Sequence, residues 1–386
     1  MEMKGLIIGV GAAGNKSVIN LVENEVVSKD DIILVNSTTM DVPDAYKSMT
    51  HILSGTDGGF GKERARSKEA MLTDLQAGRL NLKQKVEDSN YKFIAVITST
   101  EGGTGSGAAT MLAQYITRVI MLPVHLIGFT GFGTDGRGLQ NTMEFMQDIT
   151  KNMIVHLIRN DRFMQENDGS IIKSELAANE ELANTIRTIT GQLIKESTHN
   201  IDPTDIKKVV NMPGYEIVEY YELEEKIRNK KDFDRILAQM CDDSHAMQSH
   251  GMGRLGIILN LNENSQLYAN DDSVLRNRYG VPYEPFIHRQ HEGKEFIAFI
   301  CSGMKMPMEE VKEIYEQYQI ASEQVDKSED DFFAEVASMK GNSKDSMFDT
   351  HAVAVNSGDE DAFFSSMMKG SDSDSKKPAT TPASEY

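Results

Sequence analysis

The run Gly102-Gly103-Thr104-Gly105-Ser106-Gly107 places four glycines and two hydroxyl side chains in six consecutive positions. An apolar segment, 93–97, precedes it, and an Ala- and Leu-containing stretch begins at Ala108. This order predicts strand, glycine-rich turn, helix. Where Cβ atoms are missing, backbone N–H groups can close around phosphate oxygens, and the N-terminal end of a following helix adds positive potential. Thr104 and Ser106 supply hydroxyl donors in the same turn. No lysine follows the last glycine, which excludes a Walker phosphate loop. A second turn, Gly9-Val10-Gly11-Ala12-Ala13-Gly14, has G-x-G-x-x-G spacing after the apolar run 4–10. That spacing also suits a dinucleotide-binding oxidoreductase, which needs an acidic residue about twenty positions on to hold a ribose hydroxyl. Asn36-Ser37-Thr38 stands there instead, which counts against NAD or FAD.

The elements that must carry these turns read as α/β. Residues 4–10, 31–36, 93–98, 123–130 and 153–159 are short apolar strands. Helical patterns lie between them, as at 109–119 and 138–151. Alternating strands and helices with glycine turns at strand ends predict a doubly wound parallel sheet, which binds phosphates at the carboxyl ends of its strands. An amphipathic stretch, 173–196, has Leu182, Ile186, Ile189 and Leu193 near helical spacing and reads as a linking helix. A smaller α+β region follows, with a helical pattern at 223–240 and strand-like segments at 254–261 and 295–301. Pro307 then opens a helix with acidic residues in its first turn.

A chain of 386 residues suggests about two domains. A formal net charge of −19 argues against direct contact with nucleic acid or anionic lipid, so any role with DNA needs a basic adaptor. Two cysteines are too few for a disulfide framework, and no stretch approaches the ~20 apolar residues of a membrane span, so a cytoplasmic setting is expected. From 341 onward Ser, Asp, Gly and Lys dominate, and a disordered acidic tail is expected. Asp331-Phe332-Phe333 with Met339-Lys340-Gly341 recurs as Asp361-Ala362-Phe363-Phe364 with Met368-Lys369-Gly370. The copies suit either a duplicated docking motif or, for the first, an extension of the preceding helix.

The glycine run matches the GGTGTG/S signature of the tubulin/FtsZ GTPases, and the chain resembles that superfamily over roughly 4–320. Gly9 to Asn15, GVGAAGN, resembles the first nucleotide loop of FtsZ. Asn160-Asp161-Arg162 resembles the family's Asn-Asp-Lys/Arg after a strand, and Ala177-Ala178-Asn179-Glu180 resembles its Ala-Ala-Asn-Asp. Asn200-Ile201-Asp202-Pro203-Thr204-Asp205 resembles its catalytic loop. The resemblance implies GTP or GDP as ligand, with Mg²⁺ on the phosphates and no all-protein metal site. It implies nucleotide contacts from Gly11, Ala12, Asn15, Gly102, Gly103, Thr104, Gly105 and Ser106. Asp135, in GFGTDGRG, would meet the ribose. Asn160 and Asn179 would read the guanine edge, since each amide offers a donor and an acceptor. Gly55 to Gly61 lies where the family senses the γ-phosphate; Lys62, Arg64 and Arg66 after it read as a solvated helix face or as phosphate neutralisers, and Arg137 reads as a phosphate partner.

Read alone, Asn200 to Asp205 is a helix cap, with Pro203 at the first helical position. By resemblance, Asn200, Asp202 and Asp205 enter the pocket of the next subunit and polarise the attacking water. A departure stands at Glu175, where the family places an aromatic ring to stack on the base. Val209 to Gly214 and Ser302 to Pro307 are similar to segments of TubZ proteins. The resemblance is therefore closest to the TubZ/PhuZ-type plasmid and phage tubulins, with a divergent cell-division FtsZ as the alternative. It implies a head-to-tail homopolymer moving DNA through an adaptor. The implied layout is a GTP-binding domain over 1–172, a central linking helix over 173–199, and an α+β activation domain over 200–306. A C-terminal helix over 307–340 and the tail over 341–386 complete it.

Overall fold

The computed structural model describes residues 3–56, 58–131, 136–195 and 203–310, together with 312, 313, 316, 319, 320 and 323. In chain order the elements are β1 (Gly5–Val10), α1 (Gly11–Glu23), β2 (Ile32–Asn36), α2 (Asp44–Lys47), β3 (Thr50–Ile52), α3 (Arg64–Gln76), α4 (Leu82–Ser89), β4 (Phe93–Ser99), α5 (Gly103–Tyr115), β5 (Val124–Thr130), α6 (Gly136–Gln147), β6 (Ile154–Arg159), α7 (Asn160–Glu166) and α8 (Ile171–Thr190). They continue as α9 (Pro203–Val210), β7 (Gly214–Glu222), α10 (Lys230–Asp242), β8 (Arg254–Asn260), α11 (Glu263–Gln266), α12 (Ser273–Tyr279), β9 (Glu284–Gln290) and β10 (Phe296–Met304).

All ten strands form one sheet, in the order β3-β2-β1-β4-β5-β6-β7-β10-β8-β9. From β3 to β7 every pairing is parallel, and β10 then runs antiparallel to both β7 and β8. The parallel strands are apolar almost throughout because helices cover both faces. Alternation sorts their side chains: Leu6, Ile8 and Val10 pack with Met71 of α3 and Leu112 of α5. Ile7 packs on the other face with Val18 of α1 and Leu182 of α8. The strand order reverses between β1 and β4, which opens a crevice at their carboxyl ends. Both glycine turns lie there.

The ladder narrows at one place. β6 and β7 share only the pairs Ile154 with Gly214 and Val155 with Tyr215. A buried polar seam crosses the same point. His125 Nδ1 on β5 lies 2.8 Å from Glu216 Oε1 on β7, and His156 Nδ1 on β6 donates to the Glu216 carbonyl at 3.1 Å. All three residues are fully buried.

Several element bounds differ from expectation. The linking helix expected over 173–199 is α8, which begins at Ile171 and stops at Thr190. Ser170 Oγ caps its start, and Gly191, at φ 75°, turns the chain out of the helix. The pattern at 223–240 yields a helix only from Lys230. Leu223 instead donates its N–H to the Glu295 carbonyl beyond β7, and Asn229 caps the later start. The helix expected over 109–119 starts earlier, at Gly103, because the glycine run is itself its first turn. After Pro307 the described residues from Met308 onward are helical, and the tail lies outside the described residues.

Candidate functional site

Two helix N-termini converge on the crevice. α1 and α5 are each 13 residues long, and neither has a side-chain cap or an acidic residue in its first turn. Their first N–H groups therefore stay available, and both positive dipole ends face the same space. Bare glycines let them meet. Gly11 sits at φ 76°, and a Cβ there would come within 2.9 Å of the Gly105 backbone. A Cβ on Gly105 would meet Thr98 Oγ1 at 2.5 Å and the Val10 carbonyl at 3.0 Å.

The glycine run thus has a packing role beside its expected one. Gly103 lies against the backbone of Lys62, and Gly107 against Arg64 and Ser67 of α3, whereas a Cβ on Gly102 would meet open space. Ser106 is buried, with its hydroxyl donating to the Gly102 carbonyl. Thr104 Oγ1 instead lies 3.0 Å from Ser37 Oγ, and Thr56 Oγ1 donates to the Ser37 carbonyl at 2.6 Å. Three hydroxyl residues, one in the first turn of α5 and two from separate loops, therefore gather beside the helix ends. Asn15 is buried and donates to the Val35 carbonyl at 3.1 Å, and its Oδ1 has no partner among the described residues. Ala12 is exposed on the same turn. The loop carrying Gly55 to Gly61 is anchored by Phe60, only 3% exposed, and leads to Lys62.

Beside the helix ends lies a cleft of about 180 Å³ lined by residues that include Lys16, Ser17, Glu101, Glu175, Asn160 and Asn179. Asn160 opens α7 directly after β6, and Asn179 lies two turns into α8 and is 9% exposed. The structure brings these two asparagines, 19 positions apart, to one wall of one cleft. Neither amide is engaged by another side chain or carbonyl among the described residues. Lys16 and Glu175 form an ion pair between α1 and α8. Glu101 approaches so closely that its carboxyl group occupies the space of a Cβ on Gly131. Its carbonyl and that of Lys62 both accept from Asn141 Nδ2, at 3.0 and 3.1 Å.

Lys16, Ser17 and Glu101 are absent from the sequence expectation, although Lys16 and Ser17 follow Asn15 directly and Glu101 precedes the glycine run. Arg64, expected on a solvated helix face, is 4% exposed; it is ion-paired with Asp148 and donates to Thr110 Oγ1 at 3.1 Å. Arg137, a candidate phosphate partner, donates to Gln140 Oε1 at 3.0 Å.

Asp205 does not line this cleft. It stands in the first turn of α9, which packs on β8 and β10, and it accepts from Lys208 Nζ at 2.9 Å. That hydrogen bond raises the Lys208 ammonium above its ordinary range. Asn200, Asp202 and Asp135 lie outside the described residues. Among the described residues no group of three His, Cys, Asp or Glu side chains could hold a metal ion, and no helix is long and apolar enough to cross a membrane.

No protein-family model matches the chain. Among curated proteins it is similar to the cell division protein FtsZ of Porphyromonas gingivalis, 22% identical over 214 residues, covering 55% of this chain but only 46% of that protein. It is also similar to FtsZ 2 of Haloferax volcanii, 23% identical over 309 residues, covering 78% of this chain and 75% of that one. Among solved structures, GDP-bound CetZ1 from Haloferax volcanii has a TM-score of 0.63 at 20% identity, covering 83% of this chain and 99% of its own. A GTPγS-form protofilament of Bacillus thuringiensis serovar israelensis TubZ has a TM-score of 0.66 at 14% identity, covering 88% and 95%. At these identities the structural likeness shows the fold, which is the one shared by FtsZ, CetZ and TubZ.

Proposed function

We propose that this tubulin/FtsZ-fold protein is a guanine-nucleotide-dependent GTPase that assembles head to tail with copies of itself. The observation that carries the reading is the convergence of two uncapped, acid-free helix N-termini on bare glycines, next to a cleft walled by Asn160 and Asn179. The first feature suits phosphate and the second a purine edge with adjacent donors and acceptors. The FtsZ relatives, the GDP-bound CetZ1 and the GTPγS-form TubZ protofilament support guanine nucleotide as the ligand.

In this reading the backbone N–H groups at Gly11, Ala12 and Gly102 to Gly105 hold phosphates, with Thr104 at the same end. Ser106 acts from behind, fixing Gly102. Asn160 and Asn179 orient the base. Mg²⁺, when bound, neutralises phosphate charge. The Thr104 and Ser37 hydroxyls beside the helix ends would hold it, together with phosphate and water oxygens. Asp205, together with Asn200 and Asp202, serves the pocket of the next copy, because its own cleft lies elsewhere. The layout we assign keeps 1–172 for nucleotide, 173–199 as link, 200–306 for activation, and 307–340 and 341–386 as helix and tail.

We further assign the filament to the movement or positioning of plasmid or phage DNA through an adaptor, supported by the TubZ likeness and the charge of −19. The FtsZ relatives favour a second reading, a division-type filament. The test of the ligand is competition. Fluorescent GDP should bind, and unlabelled GDP should displace it while ATP and NADH do not. Equal displacement by ATP would contradict the base assignment, and displacement by NADH would restore the oxidoreductase reading.

A further inference from the structure

We propose that the Lys16–Glu175 ion pair is the lid of the base cleft and slows nucleotide release. The proposal rests on reading the cleft as a guanine-nucleotide site. Lys16 and Glu175 both line that cleft and come from different walls, α1 and α8. Glu175 stands four residues before Asn179, so the two share one face of α8, the carboxylate one turn above the base-reading amide. Lys16 follows Asn15, whose buried Oδ1 has no partner among the described residues. Among the described residues the aromatic side chain lining the cleft is Phe129, which is 4% exposed within β5 and belongs to the sheet.

The side chains of the pair are 63% and 43% exposed, which places their bond at the solvent rim. Such a bond is held by charge and long flexible stems. The Lys16 methylenes give an apolar cover while the ammonium stays in water. Its strength falls with added salt, as stacking on a ring would not. Nucleotide retention in this chain is therefore salt-sensitive in a way set by these two residues.

The experiment is stopped-flow release of fluorescent GDP at low and high sodium chloride. It compares the wild type, Lys16→Ala, Glu175→Ala, the swap Lys16→Glu with Glu175→Lys, and Glu175→Phe. The single alanine variants should release GDP about two- to fivefold faster, the size expected of an exposed pair, and lose most of the salt dependence. The swap should restore both slow release and its salt dependence, and Glu175→Phe should release slowly at either salt. Wild-type rates in the alanine variants, or a swap as fast as they are, would overturn the lid. If the wild type bound no GDP, the reading of the cleft would fall, and the lid with it.

Discussion

In the proposed reading, base recognition turns on the side chain of Asn179. It is nearly buried, it lines the cleft, and its amide is free to pair with a ligand. Asn179→Ala removes a donor and an acceptor, and should weaken GDP about ten- to a hundredfold while leaving displacement by ATP no better. Isothermal titration checks this. Gly105→Ala tests the other end of the site. Its Cβ would drive Thr98 from the Val10 carbonyl and push α5 from α1, which should cost about 1–3 kcal/mol of stability and most nucleotide binding. A urea melt and a binding titration read the two effects separately. The glycine run was legible in the sequence as a turn leading into a helix, whereas Asn179 was legible only through the resemblance of Ala177 to Glu180 to Ala-Ala-Asn-Asp. The Lys16–Glu175 pair was not, because only the packing of α8 on α1 makes residues 159 positions apart into neighbours, and Glu101 was not, because only the fold sets it against Gly131 just after β5. Arg64 was misread for the same reason: nothing in the run Lys62 to Arg66 announces that Asp148 waits to bury it.

Among the elements, α7 and α8 hold the cleft-lining Asn160 and Asn179, and His245 ties them to the segment after α10. Its ring stacks on Phe163 at 3.7 Å and bonds Glu181 and Glu166 at 2.8 and 2.9 Å. Burial works to lower its pKa, but the bonds to Glu181 and Glu166 prevail and raise it above the ordinary histidine value. A raised folded-state value gives stability that is full below the unfolded pKa, about 6.5, and is lost as pH rises through the folded value. The wild type should therefore melt at a lower temperature at pH 8.5 than at pH 6, beyond any such difference in His245→Asn. An equal pH effect in both proteins would exclude the histidine as its source.

The seam at Glu216 makes a second test. Glu216→Ala leaves His125 Nδ1 without its partner while keeping the carbonyl to which His156 donates, and should cost on the order of 3 kcal/mol, with Glu216→Gln costing less. Denaturant midpoints would show the order. The parallel strands were legible as apolar runs, since they are covered on both faces. A glutamate inside β7 carried no such signal, and helix ends shifted wherever a cap such as Asn229 or Gly191 outweighed hydrophobic spacing.

For the whole molecule, the separation of Asp205 from its own cleft is the feature with the largest consequence. Asp205 sits on α9 against β8 and β10, whereas the helix N-termini and the asparagines lie at the carboxyl ends of the parallel strands. If its carboxylate takes part in hydrolysis, it does so in another copy, and the rate must depend on contact between copies. Asp205→Ala should bind GTP as the wild type does and assemble with it, yet turn it over at least about tenfold more slowly, as expected when a group that orients water is removed. The parent measurement is GTP turnover per subunit against protein concentration, with Mg²⁺ present. The account predicts a rate near zero below a threshold concentration and a rise above it, with the rise suppressed in Asp205→Ala. A rate per subunit that stays constant on dilution would contradict it, because the hydrolytic site would then be complete within one chain.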